Sequence, residues 1–600
     1  MKMNLSVCFV LCFLLACQKA STLIGAGVPF PAEKKMIEDG WDSPDAQYVA
    51  DHIKRMEKRP FDGVVFYLRG CGSFCFSQKP MDEAEVEEDF KACARIRGRK
   101  FTENFIKVGT TTVGDFDWFD DAQWAAIEDR IHKMAHAGSL AKCAGIMLDY
   151  ETYSHVGGNP WNYKKTTHHE TKSFEEYEAK VRERGAQFIR AWESEMPGLT
   201  ILTCWQLSYF RNLLHKDETV RRAKLKETGS ALMPAFVNGM LDAASPEATI
   251  VDGNENAYYY TNKAEYLDAR FLILEQTKSF VAPENQEKFR NQVKVAQTMY
   301  LDQYFNLRGG VWKPLSQFMV KEEMKAWCEH NAYWALTTSD KYVWCYNEIA
   351  NWWVDPVEDA KPGVKNVYTM RADIPVEKWI RFGVPEGAEE AIRAARQLYE
   401  NGEYLPYEMT GILEKVYERR DAKNRNGETP VPDAVRAANL LKNGDFEEGK
   451  AHWMESVMPE PAGKFSFAYP SEAFHGSKAA RIRVESRDLG GNAGWARIIN
   501  GVDGLDPAKK YVVDFAFRTT DGAEDCSIWQ IASGKDGTSN YTSLGATHGK
   551  WYRHVIRDIN VPDGKIALYM TIYTKPSSGC VWFDDVIILE QEEYDRLMAQ

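Results

Sequence analysis

Two carboxylates stand two residues apart at the end of an apolar run: in CAGIMLDYETY, residues 143–153, Asp149 and Glu151 flank a single tyrosine. Side chains at i and i+2 of a strand share a face, so both acids point the same way if extended geometry persists to that end. Two carboxyls so placed cannot both ionise freely. One keeps its proton and acts as a general acid near neutral pH, while the other stays charged and steadies cationic character nearby. The strand would thus deliver a proton donor and its tuning partner. Four further acids are candidates for a second carboxylate beside this pair: Asp252 and Glu255 in IVDGNENAYYY, Asp302 in TMYLDQYF and Glu348 in WCYNEIANWW. Tyr258, Tyr346 and Trp352 stand beside these acids with the flat rings a planar ligand needs, and Trp205 with Gln206 in TCWQLSYF adds a ring and an amide. Trp41 and Asp42 in EDGWDSPD are further lining candidates, with the alternative that Asp42 or Ser43 caps a helix begun by Pro44.

These residues need elements that bring them together. From about 34 to 355 the chain alternates short apolar segments with long amphipathic ones, the signature of repeated βα units. Eight strand candidates follow: 34–39, 61–68, 104–110, 143–149, 198–204, 248–253, 296–302 and 341–347. Between the fourth and fifth, SFEEYEAKVRERGAQFIRAWESEM opens on a capping box of Ser173 and Glu176. Eight units predict an α/β fold, a (β/α)8 TIM barrel over residues 30–355, with its site at the carboxyl ends of the strands. Every acid named above sits at such an end. An open doubly wound sheet is the rival architecture, but no glycine-rich phosphate loop follows the first strand. Residues 356–436 read as a helical connecting segment, with 421–434 (DAKNRNGETPVPDA) a linker by composition. From 437 to 592 short alternating strands such as KYVVDFAFRT and KIALYMTIYT predict an all-β jelly-roll sandwich.

Several chemistries are excluded or weakened. Asp115 and Asp117 in VGDFDWFDD read as an acidic helix start. His168 and His169 are adjacent, without the spacing that puts two imidazoles on one helical face, which argues against a metal there. No GxSxG elbow, P-loop or zinc-protease signature is present. A net charge of −13 with no long Lys/Arg run argues against nucleic acid as a partner.

The stretch GIMLDYETY resembles the fourth strand of the family 18 chitinases and related endo-N-acetylglucosaminidases, matching at Gly145, Ile146, Leu148, Asp149 and Glu151. Ala144 and Met147 stand where that family carries earlier acids. The resemblance implies a glycoside hydrolase with a glycan substrate, no cofactor for catalysis, Glu151 as acid/base, and Asp149 steadying a substrate acetamide that acts as internal nucleophile. The missing earlier acids motivate the alternative, a glycan-binding lipoprotein on an inactive barrel. A third reading keeps an enzyme but makes the reaction lysis or deacylation, with a Tyr or His base or a metal at the same rim. NLLKNGDFEEGKAHW (439–453) and VWFDDVIILE (581–590) resemble jelly-roll carbohydrate-binding modules. That likeness implies a structural Ca2+ with Glu447 and Asp585 as ligands, and sugar stacking by Trp495, Trp529, Tyr541 and Trp551.

At the amino terminus, MKMNLSVCFVLCFLLAC has a Lys2 n-region and a short apolar run, an export signal too short to span a membrane. Leu14, Leu15, Ala16 and Cys17 resemble a bacterial lipobox, which implies lipidation at Cys17 and tethering to the bacterial membrane at the cell envelope; ordinary signal cleavage is the alternative. Nine cysteines follow Cys17. Cys143, Cys204 and Cys345 read as core residues, while Cys71 with Cys75, and Cys526 with Cys580, are the pairs an oxidising compartment would allow to bridge.

Overall fold

The computed structural model describes residues 32–307, 315–353, 383–458, 465–484, 494–520, 523, 527–532, 540–573 and 579–600. Cys17 and Cys526 lie outside these residues.

Nine parallel strands form a nearly closed barrel with helices around it: β1 (Lys35–Gly40), β2 (Gly63–Phe66), β3 (Phe105–Gly109), β4 (Gly145–Asp149), β5 (Thr200–Thr203), β6 (Thr249–Asp252), β7 (Val293–Val295), β8 (Gln297–Tyr300) and β9 (Tyr342–Asn347). The count exceeds the eight expected because one strand is interrupted. β7 pairs with β6, β8 pairs with β9, and only Ala296 separates them, its N–H turned to Asp252 O at 2.9 Å. Asp340 fills the break, accepting from Val295 N at 2.8 Å through its carboxylate and donating its own N–H to Val295 O at 2.8 Å.

Alternation within the strands sorts the side chains. On β4, Ile146 and Leu148 join the core between sheet and helices, whereas Met147 joins an inner cluster with Ile37, Val65, Phe105 and Leu202. Asp149 therefore inherits the inner face. Gly145 is required where β4 begins, since a Cβ there would collide with the Thr200 carbonyl of β5. Helix Phe174–Glu193 starts on the expected Ser173–Glu176 capping box. Helix Ala46–Met56 is capped by Asp45, which accepts from Tyr48 N; Asp42 and Ser43 do not cap it.

Helices Ala388–Glu400 and Thr410–Asn424 follow the barrel. The second contributes Leu413 and Val416 to the barrel's core, and Arg419 donates to Phe318 O at 2.7 Å. Its far end holds the sandwich. Asn424 donates to Ser543 O and Leu544 O at 2.7 and 3.1 Å, and Asp421 accepts from Ala546 N at 3.3 Å. The stretch read as linker is bound as well: Asn426 N donates to Arg553 O at 2.7 Å, and Gly427 bridges Arg553 antiparallel.

The carboxyl-terminal region holds two five-stranded antiparallel sheets. Ile482, Ile498, Phe515, Phe517, Leu568 and Phe583 belong to its core, as expected where every second strand residue turns inward. Trp529 and Tyr541 fall on strands whose side chains there lie outside the description. Trp495 is half-buried under the Arg497 guanidinium, 3.9 Å from its ring centroid, and Trp551 lies within 5.3 Å of Arg518.

Candidate functional site

A cavity of about 420 Å3 opens at the carboxyl end of the barrel strands, and Asp149, Glu151 and Glu255 all line it. Asp149 reaches it by strand alternation. Glu151 reaches it by a turn, not by continued strand: β4 ends at Asp149, and Glu151 N donates to Asp149 Oδ1 at 2.7 Å. This local bond is the Asx-type closure that aspartate favours. Gly109, the β3 partner of Asp149, keeps the neighbouring wall open, because a Cβ there would sit 2.9 Å from the Phe74 ring.

Tyr153 joins the two acids. Its hydroxyl lies 2.7 Å from Asp149 Oδ2 and 2.9 Å from Glu151 Oε2. A phenol has one proton to donate. Both contacts are hydrogen bonds only when one carboxyl supplies the second proton, so the triad Asp149–Tyr153–Glu151 is built to hold a proton that a pair of bare carboxylates would lack. Burial first, and then the charge of Glu151, push Asp149 up to about 7, against the pull of Tyr153, Glu151 N and Lys107. Glu255 is pushed up to about 8 by burial and by the charges of Glu151 and Asp149. Burial and the same two acids raise Tyr153 and keep its phenol neutral.

Glu255 is presented by a turn after β6 that other residues pin. Asp252 accepts from Ser208 N, Ser208 Oγ and Asn254 N at 2.9, 2.7 and 3.2 Å. Asn254, left-handed at φ 47°, donates to Gln297 Oε1 at 2.6 Å, and Trp344 Nε1 donates to Gly253 O at 2.9 Å. Asp252 is thus buried structural support and not a cavity acid. Asp302 is a support too. Its buried carboxylate accepts the N–H groups of Glu348, Ile349 and Ala350 at 2.6, 2.7 and 3.0 Å, and burial pushes it up to about 7. Glu348 is buried outside the cavity lining and accepts from Tyr346 OH at 3.2 Å.

Of the expected ligand-facing residues, Trp41, Tyr258 and Tyr346 line the cavity, the two tyrosines stacked at 5.1 Å. Trp205 instead stacks on Tyr209 at 4.3 Å. Gln206 is buried, its amide without a hydrogen bond among the described residues, and Trp352 packs edge-on against Phe61. Asp42 lies below the surface, accepting from Asn347 Nδ2 at 2.7 Å and Trp352 N at 2.8 Å.

Sequence reading missed Tyr153, Asp39 and Lys107. Lys107 Nζ pairs with Asp39 Oδ1 at 2.8 Å inside the barrel. Burial opposes its charge, but Asp39 outweighs that cost and holds it above the usual lysine value. A lone lysine amid the apolar run NFIKVGT was the available signal, as was Tyr153 two residues beyond Glu151 on the same alternation.

Glu447 and Asp585, expected as calcium ligands, are engaged by other groups among the described residues. Glu447 is occupied by Ser477, through its hydroxyl and N–H, and by Lys478 N at 3.0 Å. Asp585 is paired with Arg436 at 2.8 and 3.2 Å. Among the described residues no cluster of three His, Cys, Asp or Glu has a metal-holding arrangement. Cys71 and Cys75 are buried free thiols, not a disulfide.

No family model matches the chain. A curated protein, the tRNA nuclease WapA of Bacillus subtilis (strain 168), is 27% identical over 164 residues, 26% of this chain. The match spans 7% of that protein's length. Among solved structures, the chain is similar to an arabinose-bound α-L-arabinofuranosidase, MgGH51, at 16% identity over 28% of this chain and 31% of that one, with a TM-score of 0.20. It is also similar to the CBM22-1 xylan-binding domain of Paenibacillus barcinonensis Xyn10C, at 15% identity over 26% of this chain and 96% of that one, with a TM-score of 0.19. Likenesses of this size carry no argument about chemistry, and the site's own geometry has to supply it.

Proposed function

We propose that this chain is a glycoside hydrolase whose acid/base centre is the triad Asp149–Tyr153–Glu151. The observation that carries the reading is the convergence of four carboxyl groups, Asp39, Asp149, Glu151 and Glu255, on one aromatic-walled cavity, with Asp149 and Glu151 bridged by a single phenol. Glu151, the most exposed of the triad, delivers the pair's proton, relayed from Asp149 through the Tyr153 hydroxyl, to the glycosidic oxygen as the bond to the anomeric carbon breaks. The oxocarbenium charge left behind is faced by the Asp149 and Glu151 carboxylates. Water adds to the anomeric carbon, and the proton it releases returns to the pair, passing between the acids through the Tyr153 hydroxyl. Glu255, neutral at pH 7, donates a hydrogen bond into the same space. A sugar bearing a 2-acetamido group would place its carbonyl oxygen as the internal nucleophile beside Asp149, the substrate-assisted variant of this chemistry.

The test is digestion of a glycan panel by wild type and Glu151→Gln. Wild type cleaves at least one glycan, and the variant loses activity by about 1,000-fold or more while still binding it. A variant as active as wild type on every cleaved glycan removes Glu151 from the mechanism; binding without cleavage by both proteins favours the glycan-binding alternative. Export and anchoring at Cys17 belong to the same proposal, supported by Lys2, the apolar run and the Leu-Leu-Ala-Cys ending. Loss of fatty-acid labelling in Cys17→Ala, in a bacterial host, is the expected result.

A further inference from the structure

The barrel's inner side chains are stacked in layers, and one layer does not belong to a plain core. Ile37, Val65, Phe105 and Leu202 form an apolar plug, each fully buried. Two residues further along their strands stand Asp39, Lys107 and Cys204, with Met147 and Trp344, and all five line the cavity. Inward-facing positions recur every second residue, so Asp39, Lys107 and Cys204 stand directly above the plug residues of their own strands, beside Met147 and Trp344 of the same inner cluster. The barrel axis is therefore closed beneath the cavity, and the floor carries an ion pair.

An ion pair in a barrel interior is costly to desolvate, and packed apolar residues would fill the same space as well or better. The pair is also incompletely satisfied on one side only. Lys107 Nζ spends its donors on Asp39 Oδ1 at 2.8 Å, Gly40 O at 3.1 Å and Ser43 Oγ at 3.3 Å. Asp39 Oδ1 also accepts from Ser43 Oγ at 3.0 Å, whereas Asp39 Oδ2 has no hydrogen bond among the described residues. The floor thus offers one charged acceptor oxygen, held in place by a cation whose own donors are used up. Such an acceptor suits hydroxyl groups, since hydrogen bonds to an ionised acceptor are the stronger kind. It repels a carboxylate or sulfate, as do Asp149 and Glu151 above it.

We propose that Asp39, positioned by Lys107, recognises the hydroxyl groups of a neutral terminal sugar, and that the enzyme removes sugars one at a time from a chain end. This rests on the hydrolase reading for the cutting step but not for the binding step. A pocket near the lower end of the usual 300–1,000 Å3 range for small-ligand sites, closed beneath by the plug, has room for a terminal sugar.

Two measurements on the full chain test it. The first follows cleavage, by wild type, of an oligosaccharide labelled at its reducing end. The expected product is a ladder shortening by one residue at a time with free monosaccharide released from the first time point; labelled fragments of mixed internal lengths at the first time point overturn end-wise action while leaving Glu151 as the acid. The second needs no turnover: tryptophan fluorescence titration with glucose, galactose, mannose, xylose, N-acetylglucosamine and glucuronate. At least one neutral sugar binds, glucuronate does not, and Asp39→Ala raises the Kd of the bound sugar at least tenfold. Because Asp39→Ala strands Lys107, the double variant Asp39→Leu/Lys107→Met, which removes both charges, is measured beside it and loses binding equally. Unchanged affinity in a folded variant, or tight glucuronate binding, overturns the assignment whether or not any glycan is cleaved.

Discussion

Replacing Tyr153 by phenylalanine removes a single oxygen, and its effect on the pH dependence can be worked out in sign and size. The phenol favours ionised Asp149, because its hydrogen bond at 2.7 Å is one of the influences that hold this acid down while burial and Glu151 drive it up to about 7. Without it the ionised form loses a bond to a charged acceptor, worth about 1.5–3 kcal/mol. At about 1.4 kcal/mol per pH unit this amounts to roughly 1–2 units, of which water entering the vacated space returns a part. The one-proton state of the acid pair should then persist to higher pH, and the alkaline limb of kcat/KM should move up from near 7 by about 1 unit. The same change breaks the path between the acids, so kcat at pH 6 should fall by about 10–100-fold. The assay is a pH profile of kcat/KM on whichever glycan the enzyme cleaves, because that ratio reports the free enzyme, with thermal melts at pH 5.5 to show an intact fold. A limb that stays within about 0.3 units of wild type, or moves down, refutes the bridging role, whatever happens to kcat.

Three further expectations follow from the same geometry. Glu255→Gln should retain at least about a tenth of wild-type kcat at pH 6, since an amide preserves the donor; loss by 1,000-fold would make Glu255 the second catalytic carboxylate. The same variant should melt like wild type at pH 5 yet higher at pH 9, because a carboxyl raised from 4.5 to about 8 on folding contributes stability present below 4.5 and lost as pH rises through about 8; the difference at pH 9 is on the order of 1–3 kcal/mol by denaturant melts, and a lower melting point at pH 9 would contradict it. Asp302→Asn replaces one accepting oxygen by an amide NH2, which then faces either the Ala350 N–H or the Glu348 and Ile349 N–H pair, and should destabilise by about 2–4 kcal/mol while leaving the pH profile of kcat/KM in place; a displaced profile would return Asp302 to the site. Chelation with excess EDTA should leave the melting temperature of the full chain unchanged, whereas Arg436→Ala, which strands Asp585, should lower it; a fall on chelation would restore the calcium site.

The barrel was legible because its cause is local and repetitive: apolar strands alternate with amphipathic helices, and every strand of the sheet except β7 (Val293–Val295) overlaps an expected segment. The interrupted strand was not, since nothing in VKVAQTMY marks Ala296 as the residue where pairing passes from β6 to β9. The Asp149–Glu151 pair was readable from period-two spacing, although a turn completes what the strand begins. Which other acid joins it was not. Asp252, Asp302 and Glu255 all end strands or begin turns, and only tertiary placement shows that the first two spend their oxygens on backbone N–H groups while the third is left facing open space. Asp42 and Asp585 were misread for the same reason: an aspartate next to a turn looks alike in sequence whether it caps a helix, binds an ion, or meets an arginine 149 residues away.

Helix Thr410–Asn424 has one end in the core of the barrel and the other bonded to the sandwich loop at 543–546. It ties the two bodies together, and the stretch after it is bonded to the sandwich at Arg553 as well. A polymer gripped by the sandwich would meet the cavity at a set distance and angle, so chain length itself would become a criterion of choice, with fragments shorter than that span gaining nothing from the second body.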